Sequence, residues 1–159
     1  MTEAPVTVRE ARAADAAALA ALMTELGYPT AEPRAAERLA VLFASEDDVV
    51  FVAVAAGGAV VGFVHAAERR LLVSDRFVEM EGLIVTAAAR RHGAAGELVA
   101  AVEDWTLARG VPELRVRARI ERDAAHRFYQ GRGFTPAKQQ RLFVRPLAPR
   151  ERDAGVPAP

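Results

Sequence analysis

Two glutamates, Glu79 and Glu81, are followed by paired arginines, Arg90 and Arg91, in the stretch RRHGAAG, which leads into an amphipathic helix. Each group suggests a chemistry. Carboxylates two apart on a strand point to the same face, and their mutual repulsion would raise the pKa of one towards useful base strength. A helix start exposes backbone NH groups that lack intrahelical carbonyl partners and carries partial positive charge, so anions bind there. Gly93, Ala94, Ala95 and Gly96 offer little side chain to obstruct a phosphate, while Arg90 and Arg91 can supply charged donors. That composition suits a pyrophosphate. Small residues after a strand serve close helix-to-sheet packing equally well. Likewise, the alternating Arg115, Arg117 and Arg119 of a later strand could satisfy both glutamates as cross-strand ion pairs.

The elements that must position these residues follow from hydrophobic periodicity. Val6 to Glu10 alternates as a short strand. Leu19, Leu22, Met23 and Leu26 recur at helical spacing behind Asp15, and Gly27 with Pro29 ends that helix. Thr30 and Pro33 open a second helix carrying Ala36, Leu39, Ala40, Leu42 and Phe43. The run VVFVAVAA, then Gly57-Gly58, then AVVGFVHAAE predicts a β-hairpin. RRLLVSDRF reads as a strand end plus connection, and Phe77 to Val85 as the strand that bears both glutamates. Leu98, Val99, Val102 and Trp105 form the stripe of the helix behind the small-residue loop, which closes at Gly110. ELRVRARI predicts a strand, RDAAHRFYQGRG a short helix, and RLFVRPL a last alternating strand. Residues 147–159 have no apolar period and are expected to be a disordered tail. This order of elements implies a mixed sheet with helices on its faces.

A chain of 159 residues has the size of one compact domain, assigned here to residues 1–146. Its 21 Lys and Arg balance 21 Asp and Glu, so no global field favours nucleic acid or an anionic membrane. The arginine strand lacks the interleaved aromatics of a nucleic-acid surface. No cysteine is present, which excludes disulfides, thiolate metal sites and a Cys nucleophile. His65, His92 and His126 have no metal-ligand spacing, and no metal is expected. A nucleophile elbow, a Walker A loop and a dinucleotide GxGxxG are all missing. The absence of a signal-like start or a membrane-length apolar run predicts a soluble, cytoplasmic protein.

Two blocks together point further. Arg90 to Ala95, RRHGAA, resembles the Gln/Arg-x-x-Gly-x-Gly/Ala signature of the GCN5-related N-acetyltransferase (GNAT) superfamily. Ala124 to Phe134, AAHRFYQGRGF, resembles its Ala-x-x-Phe-Tyr-x-x-x-Gly-Phe motif, one strand later as in that superfamily. Ala95 stands where many relatives have Gly, a substitution the signature permits. The resemblance implies an α/β (α+β) GNAT fold, with a mixed central sheet of six to seven strands flanked by about four helices. It implies acetyl-CoA as co-substrate, with backbone groups of Leu83, Ile84 and Val85 along the pantetheine arm. The loop from Arg90 through Arg91, His92, Gly93, Ala94 and Ala95 to Gly96 would lie around the pyrophosphate, with Phe128 packing nearby. Tyr129 takes the position of the Tyr that assists the departing thiolate. A phenol with a reference pKa of ~10 is protonated at neutral pH and can donate. The acceptor is then an amine, mostly protonated at pH 7, so Glu79 or Glu81 would remove its proton before direct attack on the thioester. The two N-terminal helices and their link, with Leu26, Tyr28, Phe43 and the Leu71 to Phe77 connection, are candidate acceptor walls. Glu79, Glu81 and Asp75 would favour a cationic acceptor such as an aminoglycoside or polyamine, with a protein amine also compatible. Pairing of Arg141 to Pro146 between subunits would make a homodimer. The alternative is a non-catalytic acyl-CoA sensor of the same fold.

Overall fold

The computed structural model describes residues 5–148. The chain divides into two compact units, one ending at Arg117 and the other beginning at Ala118. In the first, five strands lie side by side in sequence order: β1 (Thr7–Glu10), β2 (Asp48–Val54), β3 (Val60–Leu71), β4 (Ser74–Val85) and β5 (Leu114–Val116). The first four are antiparallel, and β5 joins β4 in parallel. The sheet is therefore mixed, with five strands among the described residues rather than six or seven.

Helices α1 (Ala16–Glu25) and α2 (Glu32–Phe43) connect β1 to β2, and α3 (Ala87–Arg90) and α4 (Ala94–Ala108) connect β4 to β5. Gly27 ends α1 at φ 92°, a left-handed conformation cheap only for glycine. The Tyr28 amide then reaches back to the Met23 carbonyl at 2.8 Å. Pro33 sits in the first turn of α2, where its missing NH costs nothing. Ahead of α1, Asp15 closes a 3-10 turn by accepting from the Arg12 amide at 2.7 Å, while Arg9 grips both its carboxylate oxygens.

Each sheet face has its own core. Ala16 and Leu19 of α1 and Leu39 of α2 pack with Val50 and Val52 on one face. Helix α4 crosses β1 to β4 and buries Leu98, Val99 and Val102 completely. Each such aliphatic side chain contributes about 1.5–3 kcal/mol relative to exposure.

The segment expected to connect two strands is mostly strand itself. β3 runs on to Leu71, and β4 starts at Ser74, earlier than Phe77. Charge holds this extension. The Glu68 side chain, 1% exposed, is gripped by Arg70, Arg76 and Arg109 at 2.9, 3.2 and 2.7 Å.

The second unit contains α5 (Asp123–Gly131), bringing the described helices to five. The strand expected over ELRVRARI stops at Val116. The Arg119 carbonyl instead accepts from the Arg122 amide and the His126 ring, turning the chain towards α5. RLFVRPL, expected to be a strand, has no regular structure, because alternation makes a strand only beside a partner edge and none among the described residues pairs with it. Leu142, Phe143, Val144 and Leu147 are strongly exposed. Of the expected tail, residues 149–159 lie outside the described residues.

Candidate active site

The site begins where β4 and β5 part. Val78, Glu79 and Met80 pair with Leu114, Arg115 and Val116, and among the described residues no strand continues along that edge of β4 beyond Met80. On its other edge β4 stays paired with β3 as far as Val85 opposite Gly62. That contact is close, since a Cβ on Gly62 would lie 2.9 Å from both the Ile84 carbonyl oxygen and a Val85 methyl. Leu83, Ile84 and Val85 thus present an edge that an extended, amide-bearing ligand can join as an added strand does. The Val85 carbonyl also accepts from Arg90 Nε at 3.0 Å, so that arginine is partly committed to fixing the strand end.

At the fork stands Glu81. His65 of β3 pairs with Gly82 and Ala66 with Met80, leaving Glu81 as the extra residue of a β-bulge, a device that re-aims side chains. Glu79 and Glu81 remain close, since the electrostatic influence of both reaches Arg69 and Arg117. Their environments differ. Glu79 has an 8% exposed side chain and pairs with Arg117, whereas Glu81 is 30% exposed and pairs with Arg69. The expected cross-strand arginine partner therefore exists for Glu79 alone. Arg115 turns to Glu113 and lies 3.6 Å over the Phe77 ring, and Glu81 draws its partner from β3 instead.

Beyond the fork, Thr86 caps α3 by accepting from the Ala89 amide at 3.3 Å. Gly93 adopts φ 76° at the N-cap of α4, and Ala94, Ala95 and Gly96 form the first turn of that helix. The packing reading of the loop holds, and the helix start remains of the kind that an anion can use. Ala94 is wholly buried, which is packing, while the opening of a fifteen-residue helix presents the NH groups and dipole that an anion uses.

Phe128 and Tyr129 lie on α5 in the second unit. Tyr129 meets Phe128 and Phe134 edge-on, with centroids 5.2 and 5.5 Å apart. Burial pushes its phenol above the usual value, only partly offset by Arg122, which keeps it protonated at neutral pH. The structure thus gathers the two glutamates, residues 83–85 and the loop from 90 to 96 in one unit, with Phe128 and Tyr129 in the other. Of the proposed acceptor walls, Tyr28 and Phe43 are exposed, as are Leu71, Leu72 and Val73 at the β3–β4 tip. Among the described residues, no group of three or more His, Asp or Glu is disposed to hold a metal ion.

Sequence reasoning missed three contributors. Thr86 carried a signal, a capping residue ahead of AlaAlaAlaArg. Arg69 carried none, because its meeting with Glu81 depends on the bulge. His65 was weighed only as a metal ligand, whereas it contacts Asp48 at 2.7 Å.

The parted strands, the bulged acid and the glycine-led helix all fall within residues 17–134, which match the model of the acetyltransferase (GNAT) family, and the chain belongs to that family of acyltransferases. It is an N-acetyltransferase with acetyl-CoA as co-substrate. Aminoglycoside N(6')-acetyltransferase type 1 of Stenotrophomonas maltophilia is 34% identical over 147 residues, covering 90% of this chain and 95% of its own. The protein of the same name from Klebsiella aerogenes is 33% identical over 101 residues, covering 62% and 66% respectively. The aminoglycoside 6'-N-acetyltransferase AAC(6')-Ih from Acinetobacter baumannii shares the fold, with TM-score 0.78 at 20% identity over 90% of this chain and 99% of its own.

Proposed function

We propose that this protein acetylates an amine of a cationic small molecule, specifically the 6'-amine of an aminoglycoside, by direct attack within a ternary complex. The observation that carries the reading is the fork beyond Met80, with an accessible carboxylate at its apex and a helix N-terminus following the open edge. The relatives named for aminoglycosides support the acceptor class.

In this reading the pantetheine arm lies along Leu83 to Val85 and the pyrophosphate at the start of α4. Glu81 takes the ammonium proton, directly or through water, and Glu79 is the buried partner of Arg117. A backbone NH of Leu83 to Val85 stabilises the oxyanion, and Tyr129 donates to the thiolate. A single catalytic domain spans residues 1–146, supported by a family match that crosses Arg117. The segment from Arg141 to Pro146, with Leu142, Phe143 and Val144 exposed, pairs with a second copy in a homodimer, and deleting it should leave a monomer by light scattering. A cytoplasmic location suits the co-substrate.

The test is acetyl-CoA turnover on aminoglycosides with a 6'-amine, beside analogues with a hydroxyl there and beside polyamines and peptide amines. Turnover confined to the 6'-amines is expected. Acetyl-CoA binding without acetylation of any amine would favour a sensor instead.

A further inference from the structure

The sheet face that carries the glutamates also carries a polar chain without a role so far. Ser45, just beyond α2, donates its hydroxyl to Asp48 Oδ2 at 2.6 Å, and Asp48 Oδ1 meets His65 Nε2 at 2.7 Å. Burial pushes the Asp48 carboxyl up, but the hydrogen bonds from Ser45 and His65 outweigh it and hold the group below the usual carboxylate range. An ionised Asp48 accepts from Nε2–H, which leaves Nδ1 as the atom able to take a proton.

His65 shares its face with two paired neighbours, Val50 on one side and Gly82 on the other. Val50 packs against α1 and α2, so this is the face those helices cover. Gly82 adds no side chain, and nothing lies within 4 Å of where its Cβ would be. The space above Gly82 is therefore open, with His65 across from it on β3 and Glu81 next to it along the bulge. Polar side chains that share a face of adjacent strands can be joined by one bridging water. The charged groups around this space include Asp48 from β2, Arg69 from β3, Glu79 and Glu81 from β4, and Arg117 just beyond β5.

We propose that His65, backed by Asp48 and Ser45, is a proton-relay residue of acetyl transfer, receiving through a water over Gly82 the proton that Glu81 takes from the acceptor. The proposal rests on the assignment of Glu81 given above. An ammonium N–H bond breaks as the Glu81 O–H bond forms, and the freed amine attacks the thioester carbonyl. The proton then passes to His65 Nδ1, where the imidazolium faces Asp48, and leaves to solvent. The second nitrogen proton is lost as the tetrahedral intermediate collapses, and it balances the proton that Tyr129 gives the thiolate.

The test compares full-length His65→Gln, His65→Ala and Ser45→Ala with the wild type in steady-state turnover, with acetyl-CoA affinity measured by calorimetry. His65→Gln should lower kcat by about tenfold or more with acetyl-CoA affinity within about twofold of wild type. Added imidazoles should rescue His65→Ala in the order of their basicity. Wild-type kcat in His65→Gln, or rescue that ignores basicity and tracks only size, overturns the relay. Should the His65 variants fail to fold, Ser45→Ala removes only the far hydroxyl; a several-fold loss of kcat supports the relay and an unchanged kcat overturns it. Glu81→Gln separates the two layers. If it is impaired while His65→Gln is not, only the relay fails; if it is fully active, the Glu81 assignment fails and the relay with it.

Discussion

β4 behaves as two strands joined end to end. From Val78 to Met80 it has a neighbour on each side and its residues are buried, Glu79 included; from Glu81 to Val85 it has β3 alone, and Glu81 to Ile84 are no longer buried. The closed half fixes the direction of the backbone, and the open half inherits that direction while keeping unpaired edge groups and an accessible acid. One strand thus supplies rigidity and reactivity together, and the change occurs at a single bulged residue.

The comparison breaks most directly at the two glutamates. Glu81→Gln is expected to lower kcat about 100-fold, whereas Glu79→Gln should act mainly on stability. Its partner Arg117 is largely solvated, so the cost there is about 1 kcal/mol or less in thermal unfolding. A larger kinetic loss from Glu79→Gln would reverse the assignment. Next in size is the acid. Tyr129→Phe should reduce turnover about tenfold or more with little change in CoA affinity, and unchanged turnover would remove its role.

Gly93→Val tests the far end of the open half. A branched residue at φ 76° costs about 1–2 kcal/mol of folding stability, and its side chain would also stand in the proposed cradle, so acetyl-CoA affinity measured by calorimetry should fall by about tenfold. The smallest effect lies away from the fork. Hydrogen bonds from Arg9 outweigh burial and hold Asp15 below the usual carboxylate range. A depressed folded-state pKa stabilises the fold above the unfolded value of ~3.9 and ceases to do so as pH falls through the folded value. Melting temperature should therefore drop below about pH 4, and Asp15→Asn should flatten that descent; an unaltered slope would place the acid sensitivity elsewhere.

Much of this arrangement was legible in the chain. Helices α1, α2 and α4 announce themselves through Leu19, Leu39 and Leu98 at helical spacing and through Gly27 and Gly110 at their ends. The family was readable from two blocks, RRHGAA and AAHRFYQGRGF, whose order and spacing resemble its two motifs, and the family match over residues 17–134 spans both. The fork was not, since parting of β4 from β5 is a property of two strands and leaves no mark in either alone. The bulge at Glu81 was hidden for the same reason, and with it the meeting of Arg69 and Glu81. Arg76 and Glu68 concealed the start of β4, because strand pairing held by charge has no apolar alternation to detect. RLFVRPL shows the converse, a clean alternation without a partner edge.

With the pyrophosphate at Gly93 as proposed, the cage around Glu68 bears on cofactor capture. Arg109 grips this carboxylate from the end of α4, and Arg76, also bound to it, reaches the carbonyls of Arg109 and Gly110 at 3.3 and 3.2 Å. The helix is moored at the end remote from Gly93. A helix already immobilised has little conformational entropy left to lose when an anion docks at its opposite tip. Attraction between the pyrophosphate and the amides then appears as affinity instead of being consumed in stilling the helix.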